Sequence, residues 1–274
     1  MKGKVNFKNK VVIITGASSG IGKACAYEFS GMGAKVVMGA RRENELKIIE
    51  DEIKQKGGDC LSVKTDVRNV EDCKSLINKA IEKYNKIDIL INNAGISMRA
   101  NFEELDLSII KELMDTNFYG TVYCTKFALP FLIKQKGIVI GISSVTGLTP
   151  LPGRTGYAAS KHAMDGFLNT LRLETLKKGL HVLIVHPGFT TSNIRKLAFN
   201  KNGNSQKESP RDETRMMPAK KAAQIIARAA LKRKRDLTLT LEGKMVVWLH
   251  KYFPGISDRI ILHEMSKEPG AKFL

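Results

Sequence analysis

Three side chains within residues 141–163, GISSVTGLTPLPGRTGYAASKHA, have the chemistry needed to move a proton: Ser144, Tyr157 and Lys161. Tyr157 and Lys161 are four residues apart, so on a helix they share a face one turn apart. A free tyrosine keeps its proton until about pH 10. An ammonium beside it favours the phenolate and is expected to lower that threshold. A hydroxyl at Ser144, delivered from the end of a preceding strand, would hold a carbonyl oxygen that Tyr157 protonates. Ser144 and Tyr157 are therefore the expected substrate contacts. Tyr-x-x-x-Lys also occurs by chance in ordinary amphipathic helices, so the surrounding elements must decide.

The first of those elements is a β-branched run, VVIIT at 11–15, of the kind found in strands buried on both faces. It leads directly into Gly16-Ala-Ser18-Ser19-Gly20-Ile21-Gly22 and an amphipathic helix over about 21–32. A strand, a glycine turn and a helix N-terminus together make a phosphate site, because backbone comes close where side chains are missing and free N–H groups point outward. The spacing is GxxxGxG, so the GxGxxG fingerprint is met only in its physical logic. A ligand-free αβ turn is the plainer alternative.

A second strand over 35–39 is followed by Arg41 and Arg42. An acidic residue at this strand end would accept from a ribose 2′-hydroxyl, whereas arginine accommodates a 2′-phosphate. Two arginines with no acid favour NADP(H) over NAD(H), since a guanidinium fits a phosphate bidentately. The third strand, 60–64, ends at Thr65-Asp66-Val67, where Asp66 either meets an adenine edge or caps the next helix, expected over 70–84. The fourth strand, 87–91, runs into Asn92-Asn93-Ala94-Gly95, whose small residues let backbone lie against a cofactor. A long helix over 107–134 carries Asn117 at its middle. Asparagine suits helix interiors poorly, so Asn117 is a candidate site residue unless it faces solvent.

The fifth strand, 137–142, delivers Ser143 and Ser144, and the helix bearing Tyr157 and Lys161 runs to about 178. A sixth strand, 181–185, is broken by His186-Pro187-Gly188. The polar segment 189–217, with Thr190 and Ser192, is expected to be a mobile lid or substrate loop. A helix started by Pro218 and an alternating edge strand, DLTLTL at 236–241, complete the pattern. Alternating strands and helices predict an α/β Rossmann fold, a doubly wound parallel sheet of about seven strands. In such sheets ligands bind at the carboxyl ends of the strands. The glycine turn, Arg41, Asp66, residues 92–95, Ser144 and Pro187-Gly188 all follow strand ends, which moves the odds toward a site containing Tyr157 and Lys161.

Composition narrows the class. The chain has 274 residues, 43% hydrophobic and 26% charged, enough for one large α/β domain with a full core. Residues 1–241 are the expected catalytic domain, and 242–274 a basic amphipathic C-terminal extension. Four cysteines without CxxC spacing suit a reduced compartment better than a disulfide framework. No signal peptide and no spanning segment are expected, since no apolar run approaches about 18 residues. The expected location is cytoplasmic. The net charge is +18, and after residue 189 eighteen Lys/Arg face eight Asp/Glu. Solvated faces, an anionic cofactor or substrate, or an acidic lipid surface each account for it. No reading motif or interleaved aromatics support nucleic acid. Within 243–253, GKMVVWLHKYF, a helix packed on the domain or on another subunit competes with an interfacial helix on anionic lipid. His162, His181 and His186 lack ligand-like spacing, and no metal is expected.

Taken together, TGASSGIG (15–22), NNAG (92–95), Asn117, Ser144 ahead of YAASK (157–161) and the break at Pro187-Gly188 resemble the short-chain dehydrogenase/reductase family over about 8–241. The resemblance implies that Tyr157 is the general acid/base and that Ser144 orients the substrate oxygen. It implies that Lys161 binds the nicotinamide ribose and tunes Tyr157, and that Asn117 holds a relay water. Hydride would pass between nicotinamide C4 and a carbonyl or carbinol carbon, with NADP(H) as cofactor. The implied cofactor contacts are Gly16, Ser18, Ser19, Gly20, Ile21, Gly22, Arg41, Arg42, Asp66, Val67, Asn93, Ala94, Gly95, Tyr157, Lys161, Pro187, Gly188, Thr190 and Ser192. Ser192 stands where the family usually has threonine. A homodimer or homotetramer is implied, through the helices around Asn117 and Tyr157. The tail is similar to those of hydroxysteroid-type and orphan members, so the expected substrate is a lipophilic ketone or steroid-like alcohol. The alternatives are a 3-oxoacyl-thioester reductase of fatty acid synthesis and a non-catalytic dinucleotide-binding scaffold. Specificity is expected to lie in the lid and in 145–156.

Overall fold

Strand β1 (Val11–Thr15) is buried along its whole length and sits at the centre of the sheet. Its side chains alternate between two layers. Val12 and Ile14 enter one core with Cys25, Phe29, Leu46, Ile49 and Ile226, while Val11 and Ile13 enter another with Leu76, Cys124, Met164 and Leu168. Covering both faces in this way is what an all-parallel sheet requires. In the computed structural model, which describes residues 7–207 and 216–268, all seven strands are parallel.

The remaining strands are β2 (Lys35–Ala40), β3 (Cys60–Lys64), β4 (Ile89–Asn92), β5 (Ile138–Ile142), β6 (His181–His186) and β7 (Asp236–Thr238). Their order, β3-β2-β1-β4-β5-β6-β7, reverses direction between β1 and β4, which opens a crevice at the strand ends. Helices α1 (Gly20–Gly31), α2 (Glu43–Gln55) and α7 (Ala219–Leu231) cover one face. Helices α3 (Val70–Tyr84), α5 (Gly120–Lys134) and α6 (Thr155–Glu174) cover the other. The doubly wound fold expected from the sequence is the one observed.

Several boundaries differ from those expected. The helix expected over 107–134 is α4 (Leu107–Leu113), a π-helical turn at Met114–Tyr119, then α5. The wide turn accommodates buried Asn117, whose side chain bonds outside its own helix. Helix α6 ends at Glu174, and Leu176–Lys178 form a 3₁₀ turn closed by left-handed Gly179. Strand β7 stops at Thr238 because Thr240 leaves the sheet to cap the next helix, its side chain accepting from Gly243 N. Asn69, not Asp66, caps α3, accepting from Glu71 N and Asp72 N.

Beyond the sheet lie two helices, α8 (Leu241–Tyr252) and α9 (Pro254–Ser266). Pro254 sits in the first turn of α9, where its missing N–H costs nothing. Within the segment expected as a lid, Thr190 bridges Met217, and Phe199 bridges both Met98 and Ser205. Residues 208–215 of that segment and 269–274 of the extension lie outside the described residues.

Candidate active site

One cleft of about 1090 Å³ runs along the carboxyl ends of the strands. Gly16, Ser18, Ser19, Gly20, Ile21, Arg41, Arg42, Asp66, Val67, Asn93, Ala94, Gly95, Ser144, Tyr157, Lys161, Pro187, Gly188, Thr190 and Ser192 all line it. Residues scattered over most of the chain thus meet in one place because each follows a strand. Gly22 and Asn117 do not line the cleft, and each stands behind a residue that does.

At one end the glycine turn is held from below. Thr15 Oγ1 accepts from Asn93 N at 3.0 Å and from Ala94 N at 3.1 Å, and Asn93 Nδ2 donates to Thr15 O and Gly16 O. A Cβ on Gly16 would lie 2.7 Å from Ala94 Cα, and its φ of +65° disfavours side chains as well. A Cβ on Gly22 would lie 2.5 Å from Gly16 O, so Gly22 is a close-packing residue under the turn and makes no surface for a ligand. The N-terminus of α1 opens above these glycines with no side-chain cap, leaving its N–H groups for an anion.

Arg42 reaches back across this turn. Its Nη2 donates to Ser18 Oγ at 2.9 Å and Ser19 Oγ at 2.7 Å, and its Nε donates to Ser18 Oγ at 3.2 Å. Two hydroxyls and two guanidiniums therefore converge where a ribose would sit. Asp66, on the opposite wall, is engaged by Arg68 Nε and Nη2, at 3.0 and 2.6 Å, which holds its carboxyl below the usual range. Its main partner is thus a neighbouring guanidinium.

At the other end, β5 carries Ser144 into the cleft and α6 carries Tyr157 and Lys161. Ser144 Oγ accepts from Thr146 N at 3.1 Å and donates to Thr146 Oγ1 at 3.2 Å, and it lines the cleft beside Tyr157. Lys161 is almost fully buried. Its Nζ donates to Ile142 O at 2.8 Å and lies 5.8 Å from the centre of the Tyr157 ring. Burial pulls the Lys161 ammonium down to about 8. Burial likewise holds the Tyr157 phenol above its ordinary value, opposed by the nearby Ser144 hydroxyl and by the charges of Arg154 and Arg195. The sequence led to the opposite direction for Tyr157. Desolvation outweighs the nearby cations, so the phenol keeps its proton and is set up as an acid.

Asn117 is fully buried behind Lys161. Its Oδ1 accepts from Ile96 N at 2.8 Å, while Nδ2 donates to Ile96 O at 3.0 Å and Ser160 Oγ at 2.8 Å. The solvent-facing alternative is removed. Asn117 fastens the loop after β4 to α6.

The sequence reading missed several cleft residues. Arg154 and Arg195 border Tyr157, and Ile260, Ile261, Glu264, Met265 and Glu268 of α9 and its end form a wall of the same cleft. Arg99, in the loop after β4, meets Glu268 at 3.5 Å across largely buried surface, tying α9 down. No local pattern marks this, because it depends on where the chain returns after β7.

A Rossmann sheet, a phosphate turn and a Ser-Tyr-Lys group on one cleft define an oxidoreductase that uses a nicotinamide dinucleotide. Comparison with known proteins agrees. The family described as short chain dehydrogenase matches residues 10–203, and the chain belongs to it. It is 43% identical over 191 residues to 11-beta-hydroxysteroid dehydrogenase-like 2 of Arabidopsis thaliana, covering 69% of this chain and 62% of that relative's length. It is 36% identical to a dehydrogenase/reductase SDR family protein 7-like of Dictyostelium discoideum, covering 94% of this chain and 82% of the relative. A short chain dehydrogenase/reductase from Burkholderia phymatum, solved in complex with NAD, superposes with a TM-score of 0.82 over 92% of this chain and 96% of its own. At 22% identity that likeness shows the shared fold. As a member of this family the chain is an oxidoreductase acting on alcohol or carbonyl groups.

Proposed function

We propose that the protein interconverts a ketone and a secondary alcohol with NADP(H), Tyr157 giving or taking the proton. The observation that carries this is that Ser144, Tyr157 and buried Lys161 line one cleft with the glycine turn, Lys161 Nζ lying 5.8 Å from the centre of the Tyr157 ring. The cradle fits a dinucleotide, since the close packing of Gly16 against Ala94 and of Gly22 against Gly16 holds a tight turn below the uncapped N-terminus of α1. When bound, the nicotinamide supplies or accepts the hydride.

The chain's own residues do the rest. Ser144 holds the substrate oxygen within reach of Tyr157. Tyr157, protonated in the ligand-free site, donates to the oxygen as negative charge grows on it during reduction. Lys161 holds the nicotinamide ribose and returns Tyr157 toward phenolate for the reverse reaction. Arg42 and Arg41, with Ser18 and Ser19, receive the 2′-phosphate. Phe189, Ile194, Leu197 and Met216 border the cleft together with α9, and the apolar wall formed by Ile260, Ile261 and Met265 favours a lipophilic ketone or steroid-like alcohol. A screen of NADPH and NADH consumption over ketones, steroids and acyl thioesters tests this. Turnover confined to acyl thioesters would transfer the assignment to 3-oxoacyl-thioester reduction, and no turnover on any of them would favour a dinucleotide-binding scaffold.

The extension adds a surface. Leu241, Met245, Trp248 and Tyr252 recur at helical spacing on α8, and the last three are 56–63% exposed. Lys244 and Lys251 flank this stripe, and Lys251 Nζ lies 5.3 Å from the Tyr252 ring centre. Among the described residues no helix is long and apolar enough to cross a membrane. We infer that α8 lies on an anionic lipid surface, with its aromatics in the interface and its lysines toward the headgroups. Flotation with anionic against neutral vesicles tests it, and binding indifferent to lipid charge and salt would sink it. A homodimer or homotetramer is proposed through α5, α6 and the π-turn, where Tyr119 and Leu173 are exposed.

A further inference from the structure

Behind the Ser-Tyr-Lys group lies a second buried polar cluster that the proton chemistry does not use. Asp165 follows Lys161 by one helical turn, and its Oδ2 lies 3.0 Å from His186 Nε2, with both side chains less than a tenth exposed. His186 ends β6 immediately before Pro187-Gly188, and Ser143 lies between the end of β5 and Ser144. A Cβ on Gly147 would lie 2.7 Å from Asp165 Oδ2, 2.7 Å from Ser143 Oγ and 3.4 Å from Lys161 Cβ. One point of the turn after Ser144 therefore touches the carboxylate, the hydroxyl and the lysine stem together. Asp165 Oδ1 and Ser143 Oγ are both buried without a hydrogen-bond partner among the described residues.

A buried ammonium is costly unless a counter-charge lies close by. Lys161 has a main-chain carbonyl as its direct acceptor. The 3₁₀ turn Val145–Gly147, β5 and residues 93–97 carry no acid. On the π-turn Asp115 is taken up by Lys111, and Tyr119 is exposed. Tyr157 shares the helix, with Arg154 and Arg195 on its far side, and His186 lies beyond Asp165. Asp165 is the carboxylate whose charge reaches Lys161.

We propose that Asp165, oriented by His186 and by the Gly147 turn, is a positioning residue that keeps Lys161 charged at working pH. The proposal rests on the reading of Lys161 as the cofactor-ribose and Tyr157-tuning group. Asp165 touches neither substrate nor cofactor and acts through Lys161. His186, in the tautomer that carries its proton on Nε2, donates to the carboxylate and fixes its orientation.

The test is a ¹³C NMR titration of the lysine side-chain carbons in the ligand-free chain, with Lys161→Met assigning the resonance, beside a pH profile of kcat. Asp165→Asn keeps the shape and removes the charge. It is expected to move the Lys161 titration down by about one pH unit, as loss of a close opposite charge does. The alkaline limb of kcat should move with it, giving a roughly fivefold loss near pH 8 and little change near pH 6. Asp165→Glu should restore both readings, and Asp165→Ser serves as the neutral variant if Asp165→Asn does not fold. An unmoved Lys161 titration in the neutral variant overturns the proposal. So does a kcat loss equal at every pH accompanied by a lower Tm, which is the mark of a packing role. The titration needs no turnover, so an inactive wild-type chain would defeat the functional reading while this test still gives its answer.

Discussion

Asn117 Nδ2 donates to Ser160 Oγ at 2.8 Å, joining the π-turn of one helix to the helix that carries Tyr157 and Lys161. The same amide group exchanges two hydrogen bonds with the main chain of Ile96, just past the NNAG turn. One side chain thus ties the loop after β4 to the helix that carries Tyr157 and Lys161. Asn117→Ala is expected to lower kcat and to cost about 1–3 kcal/mol, because it leaves Ile96 N and Ser160 without that partner. Urea unfolding monitored beside steady-state kinetics would check both. Full activity with unchanged stability would remove Asn117 from the frame of the site.

Tyr157→Phe removes the proton donor and leaves the ring in its place. Turnover should fall by about 10²–10⁴, the usual span of a general acid, with NADPH affinity changed by less than tenfold. Fluorescence titration of NADPH separates the two effects. Turnover like that of the wild type would end the proposed mechanism.

Arg42 anchors on Ser18 and Ser19, and Arg41 lines the same corner. Replacing both by aspartate should weaken NADPH binding by tenfold or more and spare NADH, since only the 2′-phosphate is repelled. Parallel Kd measurements decide, and equal losses for the two cofactors would argue against phosphate reading here.

Lys161 has opposite signs in stability and in activity. Burial lowers it from an ordinary 10.5 to about 8, so folding is penalised while it is charged, and the penalty fades as pH rises from about 8 to 10.5. In that window the unfolded chain binds the extra proton, so this group's contribution to stability rises with pH. On the proposed mechanism activity needs the ammonium and should fall as pH rises through about 8. At pH 7 Lys161→Met should therefore raise stability, by on the order of 2 kcal/mol, while abolishing turnover. A destabilised variant would show that the lysine gains more from its contacts than it loses by burial.

Glu268 holds the end of α9 against Arg99 with both groups largely buried. Glu268→Gln should loosen that wall and raise KM for the organic substrate severalfold, while the affinity for NADPH stays level because the glycine turn lies at the cleft's other end. A change confined to NADPH binding would place α9 elsewhere in the mechanism.

Much of the site could be read from local patterns. The glycine turn, Arg41 and Arg42, residues 92–95, Ser144, Tyr157 with Lys161, and Pro187-Gly188 each follow a strand that periodicity reveals, and parallel topology brings strand ends together. Strand–helix alternation likewise settled the doubly wound sheet, because a parallel connection needs its crossover helix. Asn117 was visible only as a poor helix residue. That its helix widens into a π-turn depends on partners at Ile96 and Ser160, 21 and 43 residues away.

What tertiary structure alone decided was the electrostatics and the closure of the cleft. Tyr157 and Lys161 at helical spacing pointed to a depressed phenol, yet burial reverses that direction, and burial is a property of everything packed around the pair. Asp66 was an open choice between base and cap until Arg68 and Asn69 settled around it. The return of α9 across the cleft, fastened by Arg99 and Glu268, joins residues 169 positions apart in the chain. Periodicity and spacing report what a residue's near neighbours in sequence demand. Desolvation and long-range closure depend on the whole packed molecule, and for that reason they became visible only once the chain was folded.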